Sequence, residues 1–340
     1  MNSWVAGFNV IVTGAFVSEL NPKGLASEIG WPSPFTRIGP GIAECPKPDF
    51  SAPGGNWDPN FNFRHGLGVL AMNPEGLWED QSGTSLAAPV VAREFARALH
   101  YLSRHSCQPG ARPFAVTVRA FLTLTAKRPD RSDRVKQLAD RTLGYGLPSS
   151  WRLFHPHQTS CVMVWQGEIE SSKDRVRVNL PIPREWLLQC QNPRVRVVVC
   201  WDPPVNNAIS GVWACRKVSV KLRTAPESKA ILSIRGPSHG SYPVIDRTYR
   251  LDRLPEGVEV TGDTWLMDLS YDEIAEYFVV MDFTPTQRVA VALELFDDVA
   301  DTPVSPQSFL QSLPVAATMT HLSAVKTPVR QPVIVRAAIH

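Results

Sequence analysis

The sequence has no cysteine pair at C-x-x-C spacing, no apolar run as long as a membrane span, and almost no net charge. Its six cysteines, Cys45, Cys107, Cys161, Cys190, Cys200 and Cys215, are widely spaced, which argues against a zinc site. They fall largely in apolar, strand-like runs such as Val197–Trp201, so buried free thiols are expected rather than disulfides. His155, Pro156 and His157, close to Cys161, read as a proline-bracketed turn rather than a metal site. A net charge of +3 is too small to imply nucleic acid or an anionic membrane surface as partner. The longest apolar runs stop short of the ~20 residues of a spanning helix. Residues 5–17 lack the basic start of a signal peptide and soon meet Glu19 and Lys23, so they read as a core strand, and a cytoplasmic location is expected.

What is present is an ordinary globular composition, 44% hydrophobic and 20% charged, in 340 residues, enough for two domains. Thirty prolines point to many turns. One short stretch stands out: Gly83, Thr84, Ser85, Leu86, Ala87, Ala88 and Pro89, or G-T-S-x-A-A-P. An apolar, alanine-rich stretch follows, interrupted by Arg93, Glu94 and Arg97, so Ser85 opens a helix. The positive end of the helix dipole favours a developing anion there, and the Ser85 N–H can serve as an oxyanion donor. Pro89 is expected in about the first turn, where a missing N–H is tolerated. The plainer alternative is a small-residue helix start in which Thr84 or Ser85 is only an N-cap.

The stretch resembles the nucleophile motif of subtilisin-like serine peptidases, and its flanks carry the same resemblance. Phe8–Val17 is similar to the family's P-x-V-I-x-V-G-A strand, with Val10, Ile11 and Val12 as its buried parallel part. Phe35–Pro40 resembles F-S-x-x-G-P, and Lys47–Gly55 resembles K-P-D-x-x-A-P-G, with Pro53, Gly54 and Gly55 turning the chain back toward the nucleophile. Val118–Leu122 resembles the next helix and Leu143–Leu147 the closing G-x-G segment. The resemblance implies an α/β fold, here part of a subtilisin-like parallel sheet with helices over residues 1–150. It also implies peptide-bond hydrolysis with Ser85 as nucleophile, supported by Gly83, Thr84, Ala87, Ala88 and Pro89, and a protein or peptide substrate. No cofactor is expected; the family allows calcium, but no residues match a site.

A serine hydroxyl needs an adjacent base and a group orienting that base. The family carries these in D-[ST]-G and H-G-T-H segments ahead of an oxyanion Asn, and none of the three is present in the 84 residues before Ser85. His65 reads as a solvated loop residue; His239, Gly240 and Ser241 imitate H-G-T in the wrong chain order; Asn2 lies too close to the first strand. Met1 stands directly before that strand, so the chain reads as the back part of a longer peptidase. The alternatives are half of a split enzyme, whose second chain supplies Asp and His, and a non-catalytic homologue that binds a partner.

After residue 150 the pattern changes to short strand-like runs between Pro, Gly and Asn turns. Val176 and Val178 alternate with Arg175 and Arg177, and Val195 and Val197 with Arg194 and Arg196, each strand showing one wet face. An antiparallel, jelly-roll-like β-sandwich is expected over residues 155–300, with a loosely ordered tail over 301–340. Within it, Asp263–Glu276 suggests a short helix or turn. The block Asn179–Trp186, with the strand after it, resembles the C-terminal module of a bacterial group of subtilases, implying an intracellular protein acting beside an ATPase partner.

Overall fold

The computed structural model describes residues 10–19, 21–41, 45–104, 112–129, 139–154, 159–205, 214–235, 243–260, 262–273, 286–298, 304–312, 324–327 and 334–335. The readings placed on Asn2, Cys107, His155–His157 and His239–Ser241 lie outside these residues. In chain order the elements are β1 (Thr13–Phe16), β2 (Phe50–Pro53), β3 (Val69–Met72), β4 (Trp78–Gln81), α1 (Thr84–Arg104), α2 (Ala115–Thr125), α3 (Ala139–Thr142) and α4 (Trp151–Phe154). There follow β5 (Ser160–Ile169), β6 (Arg175–Pro181), α5 (Arg184–Gln189), β7 (Pro193–Trp201), β8 (Arg216–Arg223), β9 (Ser233–Arg235), β10 (Val244–Arg250), β11 (Thr264–Glu273), β12 (Gln287–Asp297), α6 (Pro306–Ser312), β13 (Ala324–Thr327) and β14 (Ile334–Val335). They fall into two units, one of Met1–Arg97 with Thr125–Ser150, the other of Ala98–Leu124 with Trp151–His340.

In the first unit β1 and β2 run parallel, with Thr13 opposite Phe50 and Phe16 opposite Pro53. The strand lies further along the chain than Val10, Ile11 and Val12. Val10 is half-exposed, whereas Ala15 and Phe16 are buried. The cause is the pair Lys47 and Asp49, both fully buried. The Asp49 carboxylate accepts the Val12 N–H at 2.8 Å, and Lys47 Nζ donates to Val10 O at 2.9 Å and to Asp49 at 2.5 Å. The Val10 carbonyl and the Val12 N–H are taken by these side chains, and main-chain bonding to the β2 segment begins at Val12 O, which accepts the Asp49 N–H at 2.8 Å. A buried charge without its partner is costly, so lysine and aspartate have to be placed together.

The outer edges of this pair are occupied by loops. On the β1 side the Thr36 hydroxyl donates to Ala15 O and accepts the Ala15 N–H, and Val17 N donates to Trp31 O. On the β2 side Ser51 N donates to Gly146 O and Tyr145 N to Asp49 O. Gly144 has φ +58°, and a Cβ there would lie 2.1 Å from Pro48 O, so only glycine lets the closing segment approach. Phe50 packs edge-on to Phe95 of α1 at 5.6 Å and against Tyr145 at 6.1 Å. Glu94, on the same helix and buried, accepts the Ser150 N–H at 2.8 Å and its hydroxyl at 2.6 Å. Burial alone would push this carboxyl up, but the bonds from Ser150, with Arg93 beside it, hold it below the usual glutamate range.

The second unit contains two antiparallel sheets, a six-stranded one ordered β14-β5-β12-β7-β10-β9 and a four-stranded one ordered β13-β6-β11-β8. One buried cluster takes residues from both, among them Trp165, Val197, Trp201 and Val291 from the first and Val178, Val220, Trp265 and Met267 from the second. Alternation puts Arg175, Arg177, Lys217 and Lys221 on the other face of the four-stranded sheet, where Arg177 and Arg223 both pair with Asp268. The stretch read as a short helix within Asp263–Glu276 is β11, at the centre of this sheet. Trp265, Met267, Leu269 and Tyr271 have period two and are fully buried. Tertiary pairing decides between helix and strand for so short an apolar run.

Around Arg196 the six-stranded sheet is only partly open to water. Its second face, with Val164, Ala290, Ala292 and Val198, is buried too, and α2 is fastened to it at both ends. Gln166 Oε1 accepts the Phe114 N–H at 2.9 Å and the Thr117 hydroxyl at 2.6 Å, serving donors at the helix start. Arg196 donates to Leu124 O at 3.0 Å, placing a cation on the negative end of the helix, while Asp246 holds its guanidinium from behind. Trp186, fully buried, donates Nε1–H to Val304 O at 2.9 Å. In the segment read from composition as a loose tail, the described residues form α6, with Leu310 buried, and two strands, β13 on the edge of β6 and β14 on the edge of β5. No disulfide joins the five described cysteines, and burial pushes Cys161 up to about 12, with Glu294 adding to the shift.

Replacing Lys47 with methionine leaves Asp49 buried without its cation, and urea denaturation of Lys47→Met should show a loss of about 3–5 kcal/mol in the first unit. Glu94 binds its proton less readily in the folded chain. Its contribution is therefore complete above the ordinary value of 4.5 and is lost as the pH falls from there through the folded value. Urea midpoints measured from pH 7 to pH 3 should fall more steeply in the unaltered chain than in Glu94→Gln.

Candidate functional site

The turn after β2 is tied to the start of α1. Gly54 N donates to Phe16 O at 3.1 Å, and Gly83 N donates to Gly54 O at 2.9 Å. A Cβ on Gly54 would lie 2.5 Å from Ala15 Cβ and 3.0 Å from Gly83 O, so the close approach requires glycine. Ser33 Oγ donates to Gly55 O at 2.6 Å, and Trp57 Nε1 donates to Ser82 Oγ at 3.0 Å while its ring packs on Phe35 at 5.1 Å. The A-P-G-G turn, the F-T-x-x-G-P segment and the residues just before Ser85 thus form one hydrogen-bonded framework.

The helix begins at Thr84, and Leu86 N bonds to Gly83 O. Ser85 is therefore inside the first turn and not its flanking cap. Its N–H is among those an α-helix leaves without an internal acceptor. Ser85 is exposed, and Ala87 beneath it is fully buried. Pro89 lies one turn further in than expected, as the sixth residue of the helix. The acceptor its absent N–H would have used is the Ser85 carbonyl, so the proline removes a hydrogen bond from Ser85 itself.

His65 stays in solvent, with a side chain 92% exposed, but it is not solitary: Nδ1 lies 3.1 Å from Asp80 Oδ2, which also accepts the Gly66 N–H at 2.5 Å. The sequence reading missed this pair, because nothing in the spacing of residues 65 and 80 announces a hairpin that brings them together. It also missed the hairpin's exposed apolar side chains, Leu70, Met72, Leu77 and Trp78, for which the alternation around Asn73–Gly76 was the available signal. Among the described residues no group of three or more His, Cys, Asp or Glu could hold a metal ion, and no helix is long and apolar enough to cross a membrane.

Residues 2–146 match the model of the subtilase family. A protein of Sinorhizobium fredii (strain NBRC 101917 / NGR234), described as "Uncharacterized protein y4bN", is 30% identical over 192 residues, covering 52% of this chain and 42% of that protein. The chain spans less than half the length of this relative. The family match lies over the segment that frames Ser85 and supports a subtilisin-like domain in residues 2–146.

Proposed function

We propose that the chain is the nucleophile-bearing part of a subtilisin-type serine endopeptidase, with Ser85 forming the acyl-enzyme. The observation that carries this reading is the placement of Ser85: exposed, in the first turn of α1, on a framework fixed by the Gly83–Gly54 bond. The Ser85 oxygen would attack the scissile carbonyl, and the first-turn N–H would take part of the charge on the carbonyl oxygen. The proton on Ser85 needs a base, and the D-[ST]-G, H-G-T-H and Asn segments that would supply base, orienting group and second oxyanion donor are not in the 340 residues. These groups come from polypeptide outside this sequence, and the isolated 340 residues are hydrolytically silent. The substrate is a protein or peptide, no cofactor takes part, and the two sheets form a jelly-roll-like sandwich attached to the peptidase segment. The protein acts in the cytoplasm beside an ATPase partner.

The absence of the base-bearing segments also favours a second reading, a non-catalytic homologue in which the two-sheet unit holds a partner. Labelling with a fluorophosphonate probe separates the two. The 340-residue chain alone should remain unlabelled. Mixed with a polypeptide carrying the Asp and His segments it should label, and Ser85→Ala should lower that labelling by ~10⁴-fold or more. Equal labelling of Ser85→Ala would remove Ser85 as the nucleophile, and no labelling in any mixture would leave the binding role.

A further inference from the structure

The hairpin β3–β4 presents an apolar face that the peptidase framework does not use. Met72 lies opposite Trp78 and Leu70 opposite Asp80, so these four side chains share one face. Leu70 is 62% exposed, Met72 60% and Trp78 66%, and Leu77 at the turn is 65% exposed. Tryptophan, methionine and leucine together in solvent are unusual for a surface with no binding role. β3 and β4 are paired only with each other among the described residues, so each has an open edge able to take an extended strand.

Two further observations say what would lie there. Residues 66–92 contain no lysine or arginine but carry Glu75, Glu79 and Asp80, an acidic segment in a chain of net charge +3. Only Ser82, Gly83 and Thr84 separate the end of β4 from Ser85, so the hairpin's end lies within about 13 Å of the nucleophile at ~3.3 Å per residue. We infer that this hairpin is a docking surface for an extended polypeptide segment bearing apolar side chains at alternate positions with basic residues between them, and that this segment belongs to the substrate cut at Ser85. Trp78, Met72 and Leu70 take the apolar side chains; Glu75 and Glu79 attract the basic ones. The substrate part of this inference rests on Ser85 being the nucleophile.

The test uses the full chain with Ser85→Ala, so that nothing is turned over, and two fluorescein-labelled decapeptides, one alternating leucine with lysine and the other leucine with glutamate. Fluorescence anisotropy should give the lysine peptide at least tenfold tighter binding. Trp78→Ser and Met72→Ser should each weaken it at least fivefold. Glu75→Lys with Glu79→Lys, which leaves the apolar face intact, should reverse the preference between the peptides. Equal affinity for the two peptides, or unchanged binding in both serine variants, would overturn the docking surface. If peptides bind as expected but the fluorophosphonate probe never labels Ser85, the surface stands and its assignment to a substrate falls. If the probe labels Ser85 in the mixed enzyme but neither peptide binds, the inference falls and the peptidase reading stands.

Discussion

The first unit depends on one buried ion pair. Lys47 and Asp49 are both withdrawn from water, and each is tolerated only because the other is there together with the backbone groups of Val10 and Val12. The pair fixes where β1 begins and, through the main chain of Asp49, where the closing segment at Tyr145 docks. Because β1 and β2 are in register from residues 13 and 50, the Gly54 turn falls where it can receive the Gly83 N–H, and α1 starts with Ser85 in its first turn. A two-residue charge arrangement thus sets the position of a hydroxyl more than thirty residues away in the chain.

The second unit is organised differently. Its stability comes from one buried apolar cluster drawn from both sheets and α5, which includes the fully buried Trp165, Trp186, Trp201 and Trp265. Polar residues have positional tasks: Gln166 serves the start of α2, and Arg196, braced by Asp246, serves its end. Both are long polar side chains on a strand pattern that reads as amphipathic, yet both bond to a helix, Gln166 fully buried and Arg196 partly so. α2 is therefore tied to the six-stranded sheet at both its ends.

At the site the chemistry is unevenly distributed. Ser85 sits at the positive end of a helix, but the base, the group that orients it and a second oxyanion donor are not in this sequence, and rate in serine hydrolases depends heavily on the base. The His65–Asp80 pair puts an imidazole beside a carboxylate on an exposed hairpin. What makes such a pair a catalytic base is its reach to the hydroxyl, and His65 projects into solvent.

The motif G-T-S-x-A-A-P, the order of its flanking segments and the period-two runs of the second half were legible in the sequence because each is local: a turn that needs glycine, a helix of small residues, a strand with one apolar face. The helical reading of β11 failed because Trp265–Tyr271 is apolar on both counts of spacing, and only β6 and β8 on either side decide it. The starting point of β1 was also out of reach, since it is set by side chains 37 residues away in sequence. By itself the sequence determined the motif around Ser85 and the helix it enters. Tertiary structure alone decided which polar groups are buried against which backbone atoms, because hydrogen bonds and ion pairs between distant segments form only once the chain has brought them out of water together.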